Sequence, residues 1–296
     1  MSTAFERAKK TFLGFLQARG KSLNTIKNYS CDLHTFGQFC ETHQMDFQSL
    51  GISQLDSYHK TLMEQGLQTN SRRRKLITAK TFLRYLSGRM EVSTVGSEKL
   101  IPPEKVELPP KIPSREKINE IIQAQSRLDQ KFGIGWRNQA LIGILLETGM
   151  LVTEAVSLYQ KDCTWNNTGA LLQITGRRSR TVHVSIETAN ALRKLSEHLV
   201  GMKYFFYGYS RSGPNAERLT PRGVELLFKA WSKTFGIEHL HPRTMRHLFI
   251  IDWLNQGKTE KEIMTYLGLK TAYIFPIYKP LLSSTIDSAK SITSIL

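Results

Sequence analysis

The chain has 296 residues, 40% of them hydrophobic and 22% charged, a balance that fits a globular protein with a real core and not a disordered or fibrous one. Its 41 Lys+Arg against 25 Asp+Glu give a formal net charge of +16, which attracts polyanions, the commonest being a nucleic-acid backbone. No apolar run is long enough to span a bilayer, no basic start leads into an apolar signal core, and three scattered cysteines form no CxxC. These features argue against a membrane partner, a secretory leader, a disulfide framework and a bound metal. A reducing cytoplasm fits, with Cys31, Cys40 and Cys163 read as buried structural thiols.

Residues 1–92 are helical in pattern. Apolar residues recur at helical spacing in AFERAKKTFLGFLQ, TIKNYSCDLHTFGQFC and RKLITAKTFLRYL, with Ser22 and Asn24 standing where the second run wants a cap. The stretch SRRRKLITAKTFLRYL places Arg73, Lys80 and Arg84 on one helical face and Leu76, Ala79 and Leu83 on another. No acid occurs between Glu64 and Glu91, so this cationic face, with Arg72 and Arg74, is a candidate for phosphate contacts.

Residues 93–113 change character. Two Pro-Pro pairs and Pro113 exclude a continuing helix and predict an extended connector between two domains. From residue 114 onward Ser114 precedes the helical run REKINEIIQAQ, and RNQALIGILLETG reads as a buried helix. Strand-like ALLQITG and TVHVS flank the basic turn GRRSR, whose Arg177, Arg178 and Arg180 are further candidates for DNA contact. Helical ETANALRKLSEHL, HPRTMRHLFIIDWLNQG and EKEIMTYLG follow, and Trp231 and Trp253 read as packing residues. The expected fold is mainly α with a small antiparallel β-sheet, in two domains. Both are basic, at +7 for residues 1–113 and +9 for the remainder.

Four stretches taken in order resemble one family. SLNTIKNYSCDLHTF, SRRRKLITAKTFLRYL, RNQALIGILLETGMLVTEAVSL, and HPRTMRHLFIIDWLNQG continuing to YLGLKTAYIFPIYK are similar to the tyrosine recombinases of the Xer and phage-integrase type. The resemblance implies a helical core-binding (SAM-like) domain at 1–92, the linker at 93–113 and a catalytic domain at 114–296. It also implies double-stranded DNA as partner, no cofactor, and assembly on DNA through the C-terminal tail. In that family a tyrosine attacks a DNA phosphodiester while two arginines hold the non-bridging oxygens, a hairpin lysine protonates the leaving oxygen, and histidine-type groups move protons.

Carried over by position, Tyr278 stands at the nucleophile and Arg246 at the second arginine. Arg243 replaces the catalytic histidine, Leu269 the late His or Trp, and Leu151 the first arginine, while GRRSR holds no lysine. Thr148, Gly149 and Glu154 still frame Leu151, and Pro242 and Phe249 still frame Arg246. The resemblance therefore predicts a DNA-binding recombinase homologue with impaired strand cleavage, acting beside a partner recombinase or as an architectural or regulatory factor. The alternatives are an active integrase with a rebuilt phosphate pocket and a partner protein that no longer binds DNA.

Overall fold

The computed structural model describes residues 3–88, 100–128, 133–176, 178–210 and 213–282. Arg177, residues 93–99 of the expected linker and the tail from residue 283 lie outside them. The chain divides into two compact units, Met1–Glu107 and Leu108–Leu296, so the break falls inside the Pro-rich stretch.

The first unit holds α1 (Thr3–Ala18), α2 (Leu23–Thr42), α3 (Ile52–Glu64) and α4 (Thr69–Ser87). Ser22 caps α2, its hydroxyl accepting the Thr25 N–H at 3.2 Å, while Asn24 lies inside the helix. Phe5, Phe12, Phe36 and Phe82 are fully buried and meet edge-on or tilted, with Phe12 and Phe82 centroids 5.4 Å apart. Leu76, Ala79 and Leu83 face this core, as their spacing predicts. Helix α3 stands where the sequence reading named none, although Leu55, Tyr58 and Leu62 form its buried stripe.

Cys31 departs from expectation: it is exposed, because on α2 it lies off the stripe of Asp32, Leu33, Phe36 and Cys40. Cys40 is buried and Cys163 half-buried, and desolvation pushes both thiols up to about 12.

The second unit starts with α5 (Arg115–Ser126) and α6 (Ile134–Thr148), the latter buried on nearly every face. A short α7 (Val152–Ala155) turns off it. Strands β1 (Cys163–Asn166), β2 (Gly169–Ile174) and β3 (Arg180–Ser185) form an antiparallel sheet in that order. The β2–β3 register runs from Gly169 opposite Ser185 to Ile174 opposite Arg180, which leaves 175–179 as the basic turn. Helix α8 (Ile186–His198) follows, capped by Ser185. A two-stranded ribbon, β4 (Tyr207–Ser210) and β5 (Gly213–Arg218), and helix α9 (Pro221–Thr234) were not among the predicted elements. Helices α10 (Pro242–Asn255) and α11 (Glu260–Leu267) and a 3₁₀ helix (Phe275–Leu281) complete the unit. These last three share an apolar cluster of Phe249, Ile250, Ile251, Ile263, Leu267, Phe275 and Tyr278, which fixes where the final tyrosine sits. Trp231 is buried, and Trp253 packs with Phe249 and Tyr266. Among the described residues no helix is long and apolar enough to cross a membrane.

Candidate active site and nucleic-acid interface

The site grows from the corner between α6 and α7. Gly149 ends α6 in the left-handed region at φ 58°, and a Cβ there would stand 2.6 Å from the Phe249 ring. Only glycine fits both demands. The corner directs the Gly149 carbonyl at α10, where it accepts the Arg246 Nη1–H at 2.6 Å. Leu151 follows, 38% exposed, with its backbone N–H donated to Glu154 at 2.8 Å. Its side chain carries no group that could bind an anion.

Glu154 is held on a second side. Arg180, at the start of β3, donates from both terminal nitrogens to the two carboxylate oxygens, each at 3.0 Å. It also donates to the Arg178 carbonyl at 3.0 Å. This forked pair ties the hairpin to α7 and, with the Leu151 N–H, holds the Glu154 carboxyl below its usual range against the opposing effect of burial. Arg180 was read as a DNA contact, yet its side chain is only 9% exposed and its fork is occupied. Arg178 is exposed, its stem passing over Gly268, where a Cβ would lie 3.1 Å from the Arg178 Cβ.

Tyr278 is 2% exposed, and its hydroxyl is hydrogen-bonded to His247 Nδ1 at 2.8 Å. Burial pushes the phenol up to about 12, partly offset by Arg243 and Arg246. Burial, Arg243, His241 and Arg246 push His247 down to about 4, so the imidazole is neutral at pH 7 and can accept a hydrogen bond from the phenol. Arg246 is lowered to about 10 by burial, with Glu154 opposing and Arg178 and Arg180 reinforcing the shift; it stays charged at neutral pH. Arg243 is exposed on the first turn of α10. Leu269 is half-buried against the apolar cluster of Phe249 and Leu267. The fold thus gathers Tyr278, Arg246 and Arg243 with Arg178 and Arg180. His247, the residue after Arg246, makes the hydrogen bond to the tyrosine hydroxyl and is not among the positions named from the sequence.

The cations of α4, in the first unit, have varied surroundings. Arg72 turns back to the Leu67 carbonyl at 2.8 Å, and Arg74 pairs with the buried Asp32 at 2.9 Å. Arg73 donates to the Pro103 carbonyl at 2.7 Å and Lys80 to the Leu100 carbonyl at 2.9 Å. Asn70 pairs with both polar groups of the Val106 backbone, at 2.8 and 3.0 Å. Residues 100–106 therefore lie along α4 as a strap, and Arg74 and Arg84 are the exposed cations among the five predicted there. Between α2 and α4 a cavity of about 450 Å³ opens, lined by Asn28, Asp32, Arg73 and Arg74 among others.

A sequence model of the phage integrase family matches residues 114–282, more than half of the chain. The chain belongs to the phage integrase family. The N-terminal SAM-like domain of that family matches residues 10–89 as well. The chain is 24% identical over 265 residues to the tyrosine recombinase XerC of Staphylococcus haemolyticus, covering 89% of this chain and 88% of that one. It is also 24% identical over 262 residues to XerC of Staphylococcus aureus strain JH9, at 88% and 87% coverage. Its fold is shared with the XerH recombinase in a post-cleavage complex with a palindromic difH substrate, at TM-score 0.73 and 16% identity over 94% of this chain and 82% of that one. A lambda integrase dimer bound to a COC′ core site gives TM-score 0.69 at 15% identity over 90% and 95%. This integrase-family chain is thus similar to tyrosine recombinases of the Xer type, and it is mainly helical and two-domained.

Proposed function

We propose that this protein binds duplex DNA and works in site-specific recombination with strand cleavage through Tyr278 weakened, beside a cleaving recombinase or as an architectural factor. DNA is the partner named for the XerH and lambda integrase structures that share its fold. The net charge of +16 and the exposed Arg74, Arg84, Arg178 and Arg243 suit a phosphate backbone.

The observation that carries the weakened chemistry is Leu151. An apolar side chain occupies the surface corner beside Arg246 and Glu154 where the family resemblance places a phosphate-holding arginine. Loss of one preorganised donor typically costs about 10²–10³ in rate, and here no lysine replaces the hairpin proton donor within the described turn. The expected tail docking on a neighbouring subunit belongs to this proposal and concerns residues outside those described.

A nicked suicide duplex, which traps the covalent protein–DNA intermediate, tests the reading. The wild-type chain should trap little product, Tyr278→Phe none, and Leu151→Arg clearly more than wild type. Rapid, Tyr278-dependent trapping by the wild type would instead establish an active enzyme with a rebuilt pocket.

A further inference from the structure

We infer that Arg74, aimed by the buried Asp32, reads the major-groove edge of a guanine and so sets part of the duplex sequence that this chain prefers. This rests on the reading of a DNA-binding protein and deepens it by assigning one base to one side chain.

Asp32 stands in an unexpected place. It lies on α2, 1% exposed, against a helix that is rich in arginine and carries no acid. A carboxylate there subtracts from the positive field that draws DNA in, so attraction alone does not account for it. Aim does. Asp32 Oδ2 pairs with Arg74 Nη1 at 2.9 Å. The same oxygen accepts from the Thr78 hydroxyl at 3.3 Å, and Oδ1 accepts from Lys75 Nζ at 3.2 Å. Lys75 also donates to the Thr35 hydroxyl at 2.8 Å. The carboxylate is thus held by Lys75 and Thr78, and it fixes one corner of the Arg74 guanidinium. The Arg74 side chain remains 48% exposed. A guanidinium carries five donors in a rigid fork, more than one ion pair uses. The side chain also lines the cavity of about 450 Å³ between α2 and α4, so space for a ligand lies against it.

A loose arginine is enough for a phosphate, whose oxygens can be reached from many directions. A base edge is stricter, because two acceptors in one plane must meet two donors in one plane. Guanine presents such a pair, O6 and N7, in the major groove, and the arginine fork matches it. Ordering the fork beforehand removes side-chain entropy that binding would otherwise cost. The carboxylate adds a second bias: it repels a phosphate that approaches the same guanidinium and leaves a neutral base favoured. The neighbouring Arg72 and Arg73 donate instead to backbone carbonyls of this chain. Arg74 is therefore the α4 arginine that is both exposed and seen held by a buried acid.

The test selects duplexes from a randomised pool with the full chain. Affinities for the selected sequence and its single-base variants are then read by fluorescence anisotropy at one salt concentration. At one position guanine should be preferred over the other bases by roughly 10–100-fold. Arg74→Ala and Arg74→Lys should erase most of that preference and leave those at other positions unchanged. The lysine variant keeps the charge and loses the fork. Replacing that guanine by 7-deazaguanine removes N7 alone, and should cost the wild type about 10-fold and Arg74→Lys far less. Asp32 acts as a positioning residue. Asp32→Asn should relax the same position, and adding it to Arg74→Lys should relax it no further. The Arg74 variants change an exposed side chain, so they decide the base assignment even where Asp32→Asn fails to fold. Equal weakening of every duplex by Arg74→Ala, with all base preferences kept, makes Arg74 a phosphate contact. That result overturns the inference and leaves the DNA-binding reading standing, as does a selected sequence in which no guanine depends on Arg74. A guanine preference that survives intact in Asp32→Asn overturns the aiming role of Asp32. Failure to bind any duplex in a salt-dependent way removes the DNA-binding reading and the inference together.

Discussion

The bond between Tyr278 and His247 joins two groups that burial shifts apart. The phenol is raised to about 12 and the imidazole lowered to about 4, so both are neutral across the middle of the pH range. For His247 the folded value lies below the ordinary 6.5 of the unfolded chain. Between those two values the unfolded chain binds a proton that the folded one refuses, so stability falls as pH drops from about 6.5 to about 4 and is flat in this group above that window. Urea midpoints across this range should show the slope in the wild type and a shallower one in His247→Phe. His241, shifted in the same direction, keeps part of it. The contact was not legible in the sequence: 31 residues separate the partners, and no periodicity links an α10 histidine to a tyrosine in a 3₁₀ turn. Tyr278 and Arg246 were legible by position. The role of Arg180 was not, because a basic turn reads the same whether its arginines meet solvent or a carboxylate 26 residues away.

At the scale of elements, two ties organise the functional faces. The Arg180–Glu154 fork holds the β2–β3 turn on α7, with side chains 9% and 12% exposed. Arg180→Met would leave that carboxylate largely buried with the Leu151 N–H as its remaining donor, and should cost about 3 kcal/mol or more of unfolding free energy, read by urea denaturation. The second tie is the strap of residues 100–106 on α4. Asn70→Ala removes its two bonds to Val106 and should hasten trypsin cleavage at Lys105 in the otherwise folded chain. Helix α4 was legible because its apolar and cationic residues separate cleanly at a period of 3.6. The strap was not, since prolines announce an extended chain without saying what it lies against. The β4–β5 ribbon escaped notice for a related reason: GPNAER has no alternation, and one of its six residues is buried.

At the scale of the whole molecule, charge is the most legible property. Both sequence portions are basic, and the net +16 should make duplex binding strongly salt-dependent. A protein with 6–10 phosphate contacts loses roughly 10³–10⁵ in affinity between 50 and 200 mM salt, and fluorescence anisotropy with a labelled duplex should show a loss of that order. A slope near zero would point to the partner protein that no longer binds DNA. Net charge could not reveal how the cations are deployed. Arg72, Arg73, Lys80 and Arg180 make bonds inside the protein, Arg74 is exposed yet paired with the buried Asp32, and Arg84, Arg178 and Arg243 are exposed.

The seating of Tyr278 also bears on when the protein can react. Leaving its place costs one net hydrogen bond and the burial of a ring, together about 3 kcal/mol, so a state with the hydroxyl presented outward is populated at about 1%. A bound duplex raises that fraction only by the difference in its affinity for the two states. DNA of the wrong sequence that clings equally to both leaves the tyrosine seated, however tightly it is held. The 2.8 Å bond to His247 would then work as a discriminator, letting the chain occupy DNA widely while presenting its nucleophile at few places.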